Sequence, residues 1–398
     1  MTSTTAVDLG SGHAGSVNRH FACFDGLRAI AATLIVMHHA GFASGDTFRY
    51  GWGAYVGRMD IGVPIFFGLS GFLLFRPYVA AQFSGVQPIG TADFWTRRVL
   101  RIFPAYWAAL FLQVILGGIV VHSLFGLLVY MSLTQIYFMR YVIGAITQSW
   151  SLATEISFYA FLPFWARWMR KLAGTSTINT QAMRLLGWLG VLVIISYVWR
   201  GFVYWLDPHW KPLTYYWLPS LIELFCVGMA LAVISVWAEH RSVVRSVTDA
   251  IGRHPAICWL IAIGLFWFVS TQLGLLLGLF RASDARETLR QTTYGLVALF
   301  LMLPAVFGES GKGLIRRFLS HPFMVFMGSI SYGVYLWHQF FITHISDWFG
   351  WGQWEAPFPQ LFLMTMVLSS LTAWISLKFL ERPLMGQRKR VLALLGKT

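Results

Sequence analysis

Apolar segments of about the length that crosses a bilayer recur along almost the whole chain. They lie at 25–44, 60–80, 105–121, 122–138, 151–167, 185–206, 218–236, 255–276, 291–308, 323–346 and 359–380. A helical crossing needs roughly 20 such residues. Hydrophobic residues make up 57% of the chain and charged residues 12%, which excludes a soluble domain. The expected fold class is all-α, a polytopic membrane helix bundle in the inner or plasma membrane, in contact with the lipid bilayer.

Charge sets the expected topology. The stretches "WTRRVLR" (95–101), "RWMRK" (167–171), "EHRSVVRS" (239–246), "GKGLIRRF" (311–318) and "QRKR" (387–390) are basic, and basic loops stay in the cytoplasm. Between 101 and 167 the chain must leave and return once, yet three apolar stretches lie there. The segment 122–138 carries His122, Ser123, Ser132, Thr134 and Gln135. It is read as a re-entrant or interfacial helix. The expectation is ten transmembrane helices plus that one, with both termini cytoplasmic. It puts 22 of the 30 Lys and Arg inside and 8 outside. The net charge of +14 then reflects loops on an anionic leaflet rather than a nucleic-acid partner. Residues 1–20 are polar, lack an apolar core, and are expected to be a disordered cytoplasmic N-terminus. Residues 21–385 are expected to form the membrane domain, and 386–398 a basic cytoplasmic tail with no soluble domain after the last span. Cys23, Cys226 and Cys258 are scattered among apolar runs and suggest neither disulfides nor a metal site.

The first segment, "FDGLRAIAATLIVMHHA" (24–40), carries two histidines at bilayer depth. A polar side chain there is costly unless it is paired, and so points to function. Three helical turns take about 10.8 residues, so Arg28 and His39 share a face, roughly 16 Å apart along the axis. His38 is turned about 100° away. The spacing therefore selects His39, with Arg28 and Asp25 at the cytoplasmic mouth. Ordinary hydrogen bonding to neighbouring helices is the competing reading.

Further along, Arg98 and Arg101 are i,i+3 and can face one anion together, each with a fork of donors. Taken alone they read rather as positive-inside anchors. Glu155 lies one turn from Ser151 and from Tyr159. With Trp150 these residues make a sugar-like docking surface at the outer end of the segment 151–167. Glu223, in "SLIELFCVGMALA", is also intramembrane and needs a histidine or arginine partner. The outer loops "YWLDPHWKPLTYYW" (204–217) and "DWFGWGQWE" (347–355) read as an aromatic belt. The glycines of "SGFLL" (70–74) and "ISYGVY" (330–335) read as helix-packing residues.

The first segment resembles the opening helix of the acyltransferase-3 family, integral-membrane enzymes that O-acylate surface sugars, lipids and some secondary metabolites. The family's Arg, ten residues, His pattern falls on Arg28 and His39. "GVPIFFGLSGFLLFRP" (62–77) is similar to its second helix, and "RRVLRIFPAYW" (97–107) carries its Arg-x-x-Arg motif at Arg98 and Arg101. "WSLATEISFYAFLP" (150–163) matches its Trp-Ser-Leu-x-x-Glu block at Glu155. "SISYGVYLWHQ" (329–339) and "ERP" (381–383) match the late helix and chain end. The similarity covers nearly all of 21–385. Two departures stand out: Pro64 replaces an Asp of many members, and His338-Gln339-Phe340 replaces His-x-Pro. An esterase-like domain of the kind some relatives carry is expected, if needed, on a separate chain.

The resemblance implies acyl-CoA, most simply acetyl-CoA, as co-substrate and no permanently bound cofactor or metal. Its nucleotide would rest on Arg98 and Arg101, and its pantetheine arm would run past Arg28 toward His39. His39 would be the general base for an acceptor hydroxyl of a cell-envelope glycan or glycolipid, with an acyl-His intermediate as the alternative. Oxyanion donors are Arg28, Ser70 or Tyr159, while Tyr332 and His338 complete the candidate contacts. A cytoplasmic acceptor such as a macrolide is the alternative within the class. A secondary transporter with Arg28, His39 and Glu155 as a proton relay is the rival from another class.

Overall fold

A computed structural model of the chain describes residues 21–174, 176–277, 282–308 and 312–394. Among these residues every regular element is helical. Ten helices have 17 residues or more: α1 (Ala22–Ala43), α2 (Gly62–Phe83), α3 (Thr91–Ile115), α4 (Trp150–Ala173), α5 (Ile178–Leu206), α6 (Leu218–His240), α7 (Pro255–Thr271), α8 (Asp284–Val306), α9 (Pro322–Phe349) and α10 (Phe358–Ser376). Seven spans among the described residues are long and apolar enough to cross a membrane, and a bent pair makes a possible eighth. The other two long helices, α4 and α9, fall outside that group. α4 carries Glu155, Arg167, Arg170 and Lys171, and α9 carries two histidines among polar residues. The expected disordered N-terminus, 1–20, lies outside the described residues.

The segment 122–138 holds only one α-helix, Leu124–Met131, and a 3-10 turn at Gln135–Tyr137. The helix has 8 residues and rises about 12 Å, too little to cross hydrocarbon. The basic stretch after α6, read from sequence as a loop, begins an amphipathic helix, Ser242–Arg253. It meets α7 at a 70° bend. The tail is helical over Arg388–Leu394. There Arg388 grips Asp93, at the start of α3, with two bonds of 2.6 and 2.7 Å.

Glycines set which helices touch. A methyl on Gly228 of α6 would strike the carbonyl of Gly68 on α2, and one on Gly71 would strike that of Phe225. Small residues let backbones approach where no hydrophobic force separates helix from lipid. Phe225 also stacks on Phe67 at 4.4 Å and on Phe158 of α4 at 4.1 Å. α2, α4 and α6 therefore pack as one unit. Gly328 of α9 lies against the backbone of Asp25 in α1, and Gly333 against Ala373 of α10. The α1–α9 crossing fixes the level at which Arg28 and His39 face α9.

Candidate active site

A cavity of about 130 Å³ opens between α1, α2, α3, α4 and α9. That volume holds roughly a few water molecules or a short acyl group, not a nucleotide. Apolar side chains from α2, Val63, Phe66, Phe67, Leu73 and Leu74, form much of its wall. Arg28, Arg98, Arg101 and Glu155 are the charged residues that line it.

Helix α3 begins at Thr91, well before the expected start at 105. Arg98 and Arg101 are therefore two to three turns inside the helix rather than ahead of it. Hydropathy alone starts the span after the last arginine; the helix itself continues through polar turns. The i,i+3 spacing then presents both guanidiniums to the cavity. Arg98 stands over the Tyr159 ring, 6.0 Å from its centroid. Its buried Nε has no hydrogen-bond partner. Arg28 pairs with Asp25 one turn earlier on α1.

Glu155 is the acceptor at the cavity's centre. Ser70 Oγ of α2 donates to its Oε1, and Tyr159 Oη donates to the same oxygen at 2.5 Å. Oε2 faces no protein donor among the described residues. Sequence places Glu155 with the outer loops, apart from the arginines. The structure brings it onto one cavity with them, because α2 and α3 pack beside the N-terminal half of α4. Ser151 and Tyr332 also line the cavity. Tyr332 Oη donates to the Ile102 carbonyl at 2.9 Å. Trp150 does not line it; its ring packs on Tyr216 at 5.0 Å.

The histidines stand beyond the cavity wall. His338 is fully buried, and its ring lies 5.8 Å from that of Tyr335, which lines the cavity. The His39 ring is 5.2 Å from that of His338. His38, 4.9 Å from His39, lies 3.2 Å from the Val56 carbonyl through Nδ1. That contact ties His38 to the short helical segment Gly53–Val56. His39 has no such tie among the described residues.

Several polar residues escaped the sequence reading. Tyr335 bridges Ser151 Oγ, at 2.7 Å, and the Gln148 carbonyl, at 2.5 Å. Its one-turn spacing from Tyr332 and from His338 was the available signal. Glu381 of the "ERP" stretch is buried in a π-helical turn, Leu377–Glu381, within electrostatic reach of Arg101. Glu223 pairs with Arg200 of α5 at 2.6 Å and accepts from Ser196 and Gln291. Its partner is thus an arginine.

Comparison with known proteins bears on this arrangement. The family described as "Acyltransferase domain" matches residues 21–377. The O-acetyltransferase OatA sequences of Staphylococcus aureus strains NCTC 8325 / PS 47, COL and N315 are each 24% identical over 397 residues. The match spans 95% of this chain and 59% of each relative. The chain thus spans about three fifths of the length of these curated relatives. No solved structure matches it.

Proposed function

The chain belongs to the acyltransferase family whose domain it carries, and from that premise we propose that it is a membrane O-acyltransferase using cytoplasmic acyl-CoA. The observation that carries the reading is the shared cavity: two guanidiniums that form no salt bridge among the described residues, beside a carboxylate held through one oxygen, between apolar walls. The topology that goes with it is ten crossings with both termini cytoplasmic, α4 and α9 included.

In this reading Arg98 and Arg101 take the phosphates of CoA at the cavity mouth. The cavity is too small for the nucleotide, so only the pantetheine tip and its acyl thioester enter. Glu155, held through Oε1, offers Oε2 to an N–H or O–H of substrate. Arg28 lies between the phosphate end and the imidazoles. His39 takes the proton of the acceptor hydroxyl as its oxygen attacks the thioester carbonyl. The carbon–sulfur bond breaks, and the proton passes to the departing thiolate. The acceptor is a hydroxyl of a cell-envelope glycan or glycolipid, reached from the opposite half of the membrane. The O-acetyltransferase names of the relatives support an acetyl group as the cargo.

The test is donor binding by the purified protein. Arg98→Ala with Arg101→Ala should raise KM for acetyl-CoA roughly tenfold or more, by loss of charge-assisted bonds to phosphate. The same change should have less effect with dephospho-CoA thioesters. Equal loss for both donors would reduce the pair to a topological anchor and remove the basis for donor entry here.

A further inference from the structure

His338 is a helix residue with a fixed tautomer. Its Nδ1 lies 2.8 Å from the Tyr335 carbonyl and 3.3 Å from that of Val334. A carbonyl only accepts, so Nδ1 carries the hydrogen and Nε2 carries a bare lone pair. That Nε2 is buried, within a fully buried residue, and has no hydrogen-bond partner among the described residues. A buried acceptor left unmade is costly, and its persistence at this point asks for a donor.

The surroundings hold that geometry in place. Gln148 Nε2 donates to the Tyr335 and Leu336 carbonyls at 3.0 and 3.1 Å, and Gln113 Nε2 donates to Leu336 at 3.2 Å. Two buried amides from outside the helix therefore brace the turn of α9 from which His338 projects. The ring next to it is His39, with centroids 5.2 Å apart and planes 32° from parallel. No hydrogen bond joins the two rings as they stand, and at that separation a turn of the His39 ring or one bridging water connects them. His38 is the other imidazole near His39, and its Nδ1 is occupied by the Val56 carbonyl.

We propose that His338 is a positioning residue: its bare Nε2 accepts from an N–H of His39 and so fixes which nitrogen of His39 is left to take a proton. The inference deepens the reading of His39 as general base and rests on it. One His39 nitrogen then keeps its hydrogen, aimed at His338. The other is bare and aimed at the acceptor hydroxyl. When that hydroxyl's oxygen bonds to the acyl carbon, its proton moves to the bare nitrogen. The imidazolium so formed is held by His338 through the N–H that faces it, directly or through one water. The carbon–sulfur bond then breaks, the proton leaves His39 for the thiolate, and His338 ends as it began. A carboxylate holds the imidazole in many hydrolases; here a neutral ring in a membrane does it without burying another charge.

The experiment pairs kinetics with a spectrum that does not depend on turnover. The purified full chain, labelled with ¹⁵N-histidine in detergent, is recorded as wild type and as His338→Ala and His338→Gln, with His39→Ala for assignment. Expected are His338 as the Nδ1–H tautomer, and His39 as a single tautomer that becomes a mixture in His338→Ala. Gln places an amide oxygen near the position of Nε2 and should restore the single form. Kinetically, His338→Ala should lower kcat at least tenfold with KM for acetyl-CoA unchanged, and His338→Gln should recover most of it. An unchanged His39 tautomer in His338→Ala, or equal losses in the Ala and Gln variants, would overturn the assignment. Absence of acyl transfer in the wild type would instead strike the enzymatic reading, with the spectra still deciding the histidine pair.

Discussion

The hydroxyls of Tyr335 on α9 and Ser151 on α4 lie 2.7 Å apart, and Tyr335 stands between the arginine-lined cavity and the ring of His338. The same tyrosine donates to the Gln148 carbonyl at 2.5 Å. It is therefore a latch across the site as well as part of its wall. Ser151→Ala leaves the bond to Gln148 and should cost about 1 kcal/mol. Tyr335→Phe removes both and leaves the Gln148 carbonyl without this donor, so about 1–3 kcal/mol is expected. Thermal unfolding in detergent checks the order of the two variants.

Glu155→Gln keeps the side chain's shape and an oxygen for Ser70 and Tyr159. It removes the charge from the oxygen that faces substrate. Transfer should fall roughly 100-fold or more while thermal stability changes little. A variant that transfers acetyl groups at the wild-type rate would confine Glu155 to holding α2 and α4 together.

Arg200 and Glu223 test a different part of the bundle. Their side chains are 4% and 7% exposed, and the pair is joined at 2.6 Å. Removing one partner of a buried pair costs about 3–5 kcal/mol. Arg200→Ala should therefore sharply lower the yield of folded protein. Activity per folded molecule should be preserved, because neither residue lines the cavity. A specific activity that falls in step with the Arg98→Ala variant would place the pair in the catalytic machinery instead.

The bundle's outline was legible because hydrocarbon imposes a length and a polarity on each crossing. The apolar runs gave the ten long helices to within a few residues at most ends. The apolar stretch at 122–138, read as unable to cross because of its polar residues, holds an α-helix only over Leu124–Met131. What escaped was set by tertiary packing. The start of α3 at Thr91 depends on polar turns that hydropathy reads as loop. The meeting of Glu155 with Arg98 and Arg101 depends on how α2, α3 and α4 cross, which one helix's periodicity does not contain. Arg28 and His39 share one helix face, but the periodicity of α1 does not show that Arg28 lines the cavity with Tyr335 while His39 lies against His338 outside that lining. Gln148 and Arg200 carried no spacing signal; each matters through a partner on a distant segment.

His39 is the base through which every proposed transfer step passes, and one measurement tests that role most directly. Purified protein is given acetyl-CoA labelled in the acetyl group, with a hydroxyl acceptor, and the release of free CoA thiol is followed alongside thermal unfolding. Wild type should release thiol and label the acceptor. His39→Ala should unfold at the wild-type temperature and lose transfer by a factor of about 100 or more. His38→Ala, whose ring is engaged by the Val56 carbonyl, should keep most of the activity. A dispensable His39 beside an essential His38 would contradict the assignment of the base, and with it the path from the arginines to the acceptor.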